Sequence, residues 1–277
     1  MRVFNAPVDG GTLGGWVTGE GSRVLLLHGG PGLSFSCLDG LVDELGTEYE
    51  IASYQQRGLP PSMTSGPYDV ATAVADVAAV LDHLDWPTAY VVGHSWGGHL
   101  ALHVAVSLAH RADAVMAIDP LGGVGDGGEQ GLEAAFAERV PAAVAEKAQE
   151  LDERAMRGEG TDADALEAFR MVWPGYFADW DTAPPCPDDL RISVPAYAEG
   201  FESIHAELPR LEKELPSITM PVGFLVGTKS PIPPSASYET AERIPGAWVE
   251  AVDEVGHFPW LERPGCVRPA LQRLVAG

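Results

Sequence analysis

Apolar residues gather in short runs at residues 23–27, 50–54, 89–92, 114–118, 222–226 and 247–251, with helical spacing between several of them. Runs of that length alternating with helices predict an α/β fold, a mostly parallel sheet with helices on both faces. Over 68–84, Val70, Val74, Val77, Val80, Leu81 and Leu84 share one helical face, and 98–109 repeats the spacing. The opening segment, 2–18, reads as an antiparallel hairpin turning at Asp9-Gly10-Gly11.

Near Gly122 the alternation stops. Helical patterns follow at 129–149, 164–171 and 188–215, with a loop over 182–187, before strand and helix resume at Met220. The expected organisation is a core of 1–122 and 217–277 with a helical cap, 123–216, inserted after the sixth strand. Such an insertion sits over the carboxyl ends of the strands, where open α/β sheets bind ligands.

At 277 residues and 45% hydrophobic, the chain has the size of one large globular unit carrying an insertion. It contains no apolar run of about eighteen residues, and Met1-Arg2-Val3-Phe4-Asn5 lacks a charged-then-apolar leader pattern. Cys37, Cys186 and Cys266 are isolated and odd in number, which suits free thiols in a reducing compartment. A cytoplasmic location is the expectation. The net charge of −23 repels polyphosphate, which argues against nucleic acid and anionic membrane as partners. The expected partner is a small-molecule or short-peptide substrate, and the chemistry below needs no metal or organic cofactor.

Gly93-His94-Ser95-Trp96-Gly97 follows the apolar run Tyr90-Val91-Val92 and precedes a helical pattern. That context turns G-x-S-x-G into a nucleophile elbow, a strained strand-to-helix turn that lifts the Ser95 hydroxyl off the sheet. A hydroxyl needs a base and donors for the developing oxyanion. His257, in the loop after the last strand, is the expected base. The backbone N–H groups of Trp96 and of Gly30, in His28-Gly29-Gly30-Pro31-Gly32, are the expected oxyanion donors.

These two motifs resemble the proline iminopeptidase branch of the α/β-hydrolase superfamily. Gln55-Gln56-Arg57-Gly58-Leu59-Pro60-Pro61-Ser62 is similar to that branch's Asp-Gln-Arg-Gly-x-Gly-x-Ser, with Gln55 for the acid and Pro60 for the second glycine. The resemblance implies the α/β-hydrolase fold, an eight-stranded mostly parallel sheet, and a cap whose carboxylates and aromatics hold a prolyl amine. Candidate cap aromatics are Trp173, Tyr176, Phe177, Trp180, Tyr197 and Phe201, with Glu199 and Glu202 beside the last two. It also implies a triad acid in a pattern like Gly-x-x-Asp-x-x-x-Pro. Here that stretch is Gly227-Thr228-Lys229-Ser230-Pro231-Ile232-Pro233-Pro234, with Ser230 in the acid's place.

Related dehalogenases resemble one another in placing the acid at the end of the sixth strand, where this chain has Asp119-Pro120. Asp119 is the expected acid. The alternatives are that it only caps its loop, leaving Ser230, Asp253 or no acid to orient His257. The expected activity is hydrolysis of a small ester or amide through an acyl-enzyme, with N-terminal proline release among the options. Carboxylesterase or lactonase activity, non-hydrolytic acyl transfer or lyase chemistry, and a catalytically silent binding protein are the alternatives.

Overall fold

Leu25, Leu27, Val91, Val115, Ala117 and Phe224 pack into one hydrophobic cluster, while Val24, Leu26, Val92, Met116, Ile118 and Leu225 pack into another. Successive strand residues point to opposite faces, so apolar runs with no polar alternation need cover on both sides. In the computed structural model, which describes residues 1–276, that cover is present. The strands are β1 (Arg2–Val8), β2 (Gly11–Thr18), β3 (Ser22–Leu27), β4 (Tyr49–Tyr54), β5 (Ala89–His94), β6 (Ala112–Ile118), β7 (Val222–Gly227) and β8 (Trp248–Val252). They form one sheet in the order β1-β2-β4-β3-β5-β6-β7-β8. β2 runs antiparallel to β1 and β4, and every other pairing is parallel.

The helices around this sheet are α1 (Asp39–Leu45), α2 (Val70–His83), α3 (Trp96–Ser107), α4 (Glu129–Arg139), α5 (Ala142–Met156), α6 (Asp162–Val172), α7 (Val194–Glu214), α8 (Pro234–Arg243), α9 (Pro259–Glu262) and α10 (Val267–Ala276). Val70, Val74, Val77 and Leu81 of α2 and Leu100 and Val104 of α3 join the first cluster. Leu41 and Leu45 of α1 and Val267, Leu271 and Leu274 of α10 join the second. Each such side chain, when fully buried, contributes about 1.5–3 kcal/mol of transfer free energy. The helix expected over 68–84 starts at Val70 because the Asp69 carboxylate accepts from Thr72 N at 2.7 Å and caps it.

Strand β3 pairs with β4 on one side and β5 on the other. The chain therefore reverses its direction of travel across the sheet between β3 and β5, and a crevice opens at their carboxyl ends. The loops after these two strands carry His28-Gly29-Gly30 and Ser95. Helices α4 to α7 lie between β6 and β7 in the chain.

Two expected helices differ from those observed. The pattern over 129–149 is two helices, because Pro141 interrupts it: Val140 sits at φ −79, ψ 126 and Pro141 at φ −55, ψ 134, both extended. Proline lacks an N–H and biases the preceding residue away from helical angles. The pattern over 188–215 becomes helical only at Val194. Ile192 forms an isolated antiparallel bridge with Leu33, Ser193 accepts from Ala196 N at 3.4 Å, and Pro195 occupies the first turn, where its missing donor is harmless. Among the described residues no helix is long and apolar enough to cross a membrane.

Candidate active site

The turn between β5 and α3 holds Ser95 at φ 55, ψ −122, a left-handed backbone that a serine adopts only under constraint. Ser95 N donates to Ile118 O at 2.9 Å, tying the turn to β6. A Cβ at Gly93 would lie 2.0 Å from Gly97 O, and one at Gly97 would lie 2.1 Å from Leu27 O. No side chain fits at either place, which is why glycines flank the serine. Within 91–100, Ser95 alone is not buried.

The loop after β3 is anchored from beneath. His28 Nδ1 donates to Gly29 O at 2.7 Å, and its Nε2 accepts from Gln56 N at 3.0 Å and Gln55 Nε2 at 3.3 Å. One donor and one acceptor nitrogen define a neutral imidazole, and burial lowers His28 to about 4. Gln56 completes the link: its amide donates to His28 O at 3.0 Å and accepts from the Trp96 indole at 2.8 Å. Gln55, the departure noted at this position, accepts from Phe35 N and donates to Leu33 O, each at 3.0 Å. The loop bearing Gly30 and the first residue of α3 are thereby held in one network. Trp96 N is one of the orphan donors at that helix N-terminus, while its indole points away from the cavity into the network.

His257 lies between β8 and α9 and is held on both sides of its backbone. Its N–H donates to Tyr176 O at 2.7 Å, and its carbonyl accepts from His94 Nε2 at 2.8 Å. Gly256 N donates to Glu262 at 2.7 Å, and the same carboxylate takes Ala178 N at 2.9 Å. The His257 loop and the segment 176–178 are thereby tied to each other. The imidazole Nδ1 is 2.5 Å from Asp119 Oδ2.

Asp119 follows β6 at φ 44, a conformation that aspartate tolerates better than most residues. Its N–H donates to Leu225 O at 2.8 Å and its Oδ1 accepts from Gly227 N at 3.1 Å. Ser230 Oγ donates to Oδ2, the oxygen that also faces His257. Burial pushes the Asp119 carboxyl well above the usual range, against the hydrogen bonds from Ser230 and Gly227 and the charge of Arg139. Burial likewise lowers the His257 imidazole. Of the alternatives, Ser230 engages Asp119 rather than the imidazole, and Asp253 is exposed and accepts from Thr228 Oγ1 at 3.2 Å.

A cavity of about 510 Å³ opens above these groups, with Gly29, Gly30, His94, Ser95 and His257 on its floor. Helices α5 and α6 line it through matching faces, Ala145, Ala148, Gln149 and Asp152 on one and Ala165, Ala168, Phe169 and Val172 on the other. Both follow i, i+3, i+4, i+7. Of the aromatics singled out from the sequence, Trp173, Tyr176, Tyr197 and Phe201 reach the cavity. Phe177 instead stacks on Phe258 with centroids 5.4 Å apart, and Glu199 accepts from Tyr68 N at 3.0 Å. Trp180 and Glu202 are not among the lining residues. Phe136, Phe169, Glu133, Gln149 and Asp152 line the cavity without having been singled out. Burial lifts the Tyr176 and Tyr197 phenols, so both are hydrogen-bond donors at neutral pH. Among the described residues, no cluster of His, Cys, Asp and Glu could hold a metal ion.

Residues 24–266 match the Alpha/beta hydrolase family. The 3-oxoadipate enol-lactonase 2 of Acinetobacter baylyi is 25% identical over 233 residues, 82% of this chain and 79% of that protein. The proline iminopeptidase of Lactiplantibacillus plantarum is 35% identical, but over 83 residues, 28% of this chain and 29% of that one. An esterase from Exiguobacterium antarcticum superposes with a TM-score of 0.75 at 19% identity, covering 100% of both chains. The likeness to proline iminopeptidases is thus confined to a short stretch, whereas the fold is shared along the whole chain.

Proposed function

We propose, because the chain belongs to the Alpha/beta hydrolase family, that it hydrolyses a carboxylic ester or lactone of an uncharged, largely apolar substrate through an acyl-enzyme on Ser95. The observation that carries this reading is the His257–Asp119 contact at 2.5 Å, with His257 and the left-handed Ser95 lining one largely apolar cavity. With Nδ1 engaged by Asp119, Nε2 is the nitrogen left to take the Ser95 proton. Ser95 Oγ attacks the carbonyl carbon, the N–H groups of Gly30 and Trp96 take the oxyanion, and the proton on His257 passes to the departing alcohol. Water then repeats the sequence in reverse on the acyl-serine.

The substrate's charge follows from the lining. Glu133 and Asp152 are its acidic residues, and no Lys or Arg is among them. A substrate carboxylate entering there loses its hydration and gains no cation, which the site cannot repay. Release of an N-terminal proline is the second reading, favoured by the placement of Asp152 near the Tyr176 and Tyr197 rings, where a substrate ammonium would find a counter-charge.

The test is a panel of p-nitrophenyl butyrate, its carboxylate-bearing hemiglutarate counterpart, a neutral lactone and prolyl p-nitroanilide, with fluorophosphonate labelling alongside. The expected result is turnover of the neutral ester or lactone and rejection of the hemiglutarate. Labelling should be lost in Ser95→Ala, and kcat should fall by about 10⁴-fold in Asp119→Asn. Near wild-type turnover by Asp119→Asn would remove Asp119 from the mechanism, and an unlabelled wild-type protein would remove the acyl-enzyme.

A further inference from the structure

We propose that Ser230 is a positioning residue for the acid: its hydroxyl proton is committed to the Asp119 oxygen that His257 uses, holding that oxygen as an acceptor aimed at the imidazole. The role rests on the reading of Ser95, His257 and Asp119 as the reacting set.

The direction of the hydroxyl follows from its two neighbours. Ile232 N donates to Ser230 Oγ at 3.1 Å, which makes the hydroxyl the acceptor there, and Asp119 Oδ2, a carboxylate oxygen that can only accept, takes its one proton. Asp119 is 1% exposed and Ser230 5%, so solvent does not compete for this bond. The backbone at 230 is held as well: its N–H donates to Gly227 O at 3.1 Å and its carbonyl accepts from Arg139 at 3.3 Å. Asp119 thus receives His257 and Ser230 on Oδ2 and Gly227 on Oδ1. A carboxylate at 230 in place of the hydroxyl would set two buried acids against each other, and the pair would retain a proton where the imidazole needs a free acceptor. Of the other charged and titratable groups, Arg139 from α4 and Glu262 from α9 face Asp119, while His94 at the end of β5 and Tyr176, its ring centroid 5.4 Å away, face His257.

Removing the hydroxyl leaves those groups in place and withdraws one donor from Oδ2. The carboxylate then holds protons more tightly, its own and the one shared with His257, so the acid limb of the pH profile moves up. The experiment measures kcat and KM for p-nitrophenyl butyrate across the pH range in wild type, Ser230→Ala, Ser230→Cys and Ser230→Thr, with folding checked by circular dichroism. In Ser230→Ala the expected result is an acid limb raised by about one pH unit and kcat lowered about tenfold at neutral pH, with KM nearly unchanged. Ser230→Cys, a weaker donor, should fall between, and Ser230→Thr, which keeps the hydroxyl, should restore the wild-type limb.

An unmoved acid limb in Ser230→Ala, or in Ser230→Cys where the alanine variant does not fold, overturns the proposal even where kcat falls. So does a limb that Ser230→Thr leaves shifted. Activity persisting in Ser95→Ala would instead overturn the underlying reading, so the two failures are separable. As a further check, Asp119→Asn/Ser230→Asp should recover part of the activity lost in Asp119→Asn, because a carboxylate then stands one hydrogen bond from the vacated acceptor.

Discussion

Lowering the pH from 6.5 to about 4.5 should withdraw a large stabilising contribution from histidines that fold neutral. His28 and His99 are both buried and both lowered from 6.5 to about 4, desolvation being the dominant cause in each. Their hydrogen bonds suit the neutral ring: His28 donates to Gly29 O and accepts from Gln56 N, and His99 Nδ1 donates to Leu121 O at 3.3 Å. Above 6.5 both rings are neutral folded or unfolded and contribute no pH dependence. Below 6.5 the unfolded chain takes up protons that the folded state refuses, so stability falls by about 1.4 kcal/mol per pH unit for each histidine until the folded value is reached. At pH 4.5 that amounts to about 2.5 kcal/mol each and about 5 kcal/mol together, against a total of about 5–15 kcal/mol for a typical domain. His103, lowered to about 2 by burial and by His99 beside it, adds in the same direction.

Urea unfolding at half-unit pH steps between pH 6.5 and 4.5 measures the slope. His99→Gln supplies the control, since the amide retains a donor for Leu121 O and does not titrate. It should flatten the slope by about 1.4 kcal/mol per pH unit whatever it does to absolute stability. A His99→Gln variant with the wild-type slope would refute the assignment of a buried neutral His99. The difference in slope between wild type and variant is the decisive quantity, because Asp119, Asp76 and Glu262, raised by burial, gain stability as the pH falls and act against the histidines in the total.

Gly97→Ala should lose several kcal/mol and most soluble protein, because its Cβ meets two backbone oxygens, Leu27 O at 2.1 Å and His28 O at 2.7 Å, that cannot move without breaking the turn. Gly98→Ala, whose Cβ meets the Pro120 side chain at 2.9 Å, should cost less; thermal melts rank the two, and the reverse order would contradict the geometry. Asp76→Ala strands the buried Arg57 guanidinium, which Asp76 engages at 2.7 and 2.8 Å, and should cost about 3–5 kcal/mol in urea unfolding. A loss below about 1 kcal/mol would show that water reaches Arg57.

What the sequence displays of this molecule follows from how locally each feature is determined. The elbow is legible because its glycines answer to atoms within a few residues or on the adjacent strand, Gly97 O and Leu27 O, and the surrounding strand and helix show in the apolar spacing. Asp119 stands out for a similar reason, as a carboxylate ending an apolar strand. The break at Pro141 was equally local, and the helical composition on either side of it masked a residue that cannot lie inside a helix. The cavity is different in kind. Ala145, Ala148, Ala165 and Ala168 help make the space by being small, whereas aromatic residues draw attention in a sequence. Glu133 and Asp152 look like any solvated acid on a helix, and they reach the cavity only because α4 and α5 each turn one face toward it. Ser230 shows the remaining limit. In the sequence it is only a missing acid, and its meaning depends on Asp119 Oδ2, 111 residues away in the chain. The departure from the resembled pattern and the acid after β6 are therefore two halves of one arrangement. With the carboxylate just after β6, the residue at 230 serves it best as a donor, and a hydroxyl supplies one without adding a second buried charge.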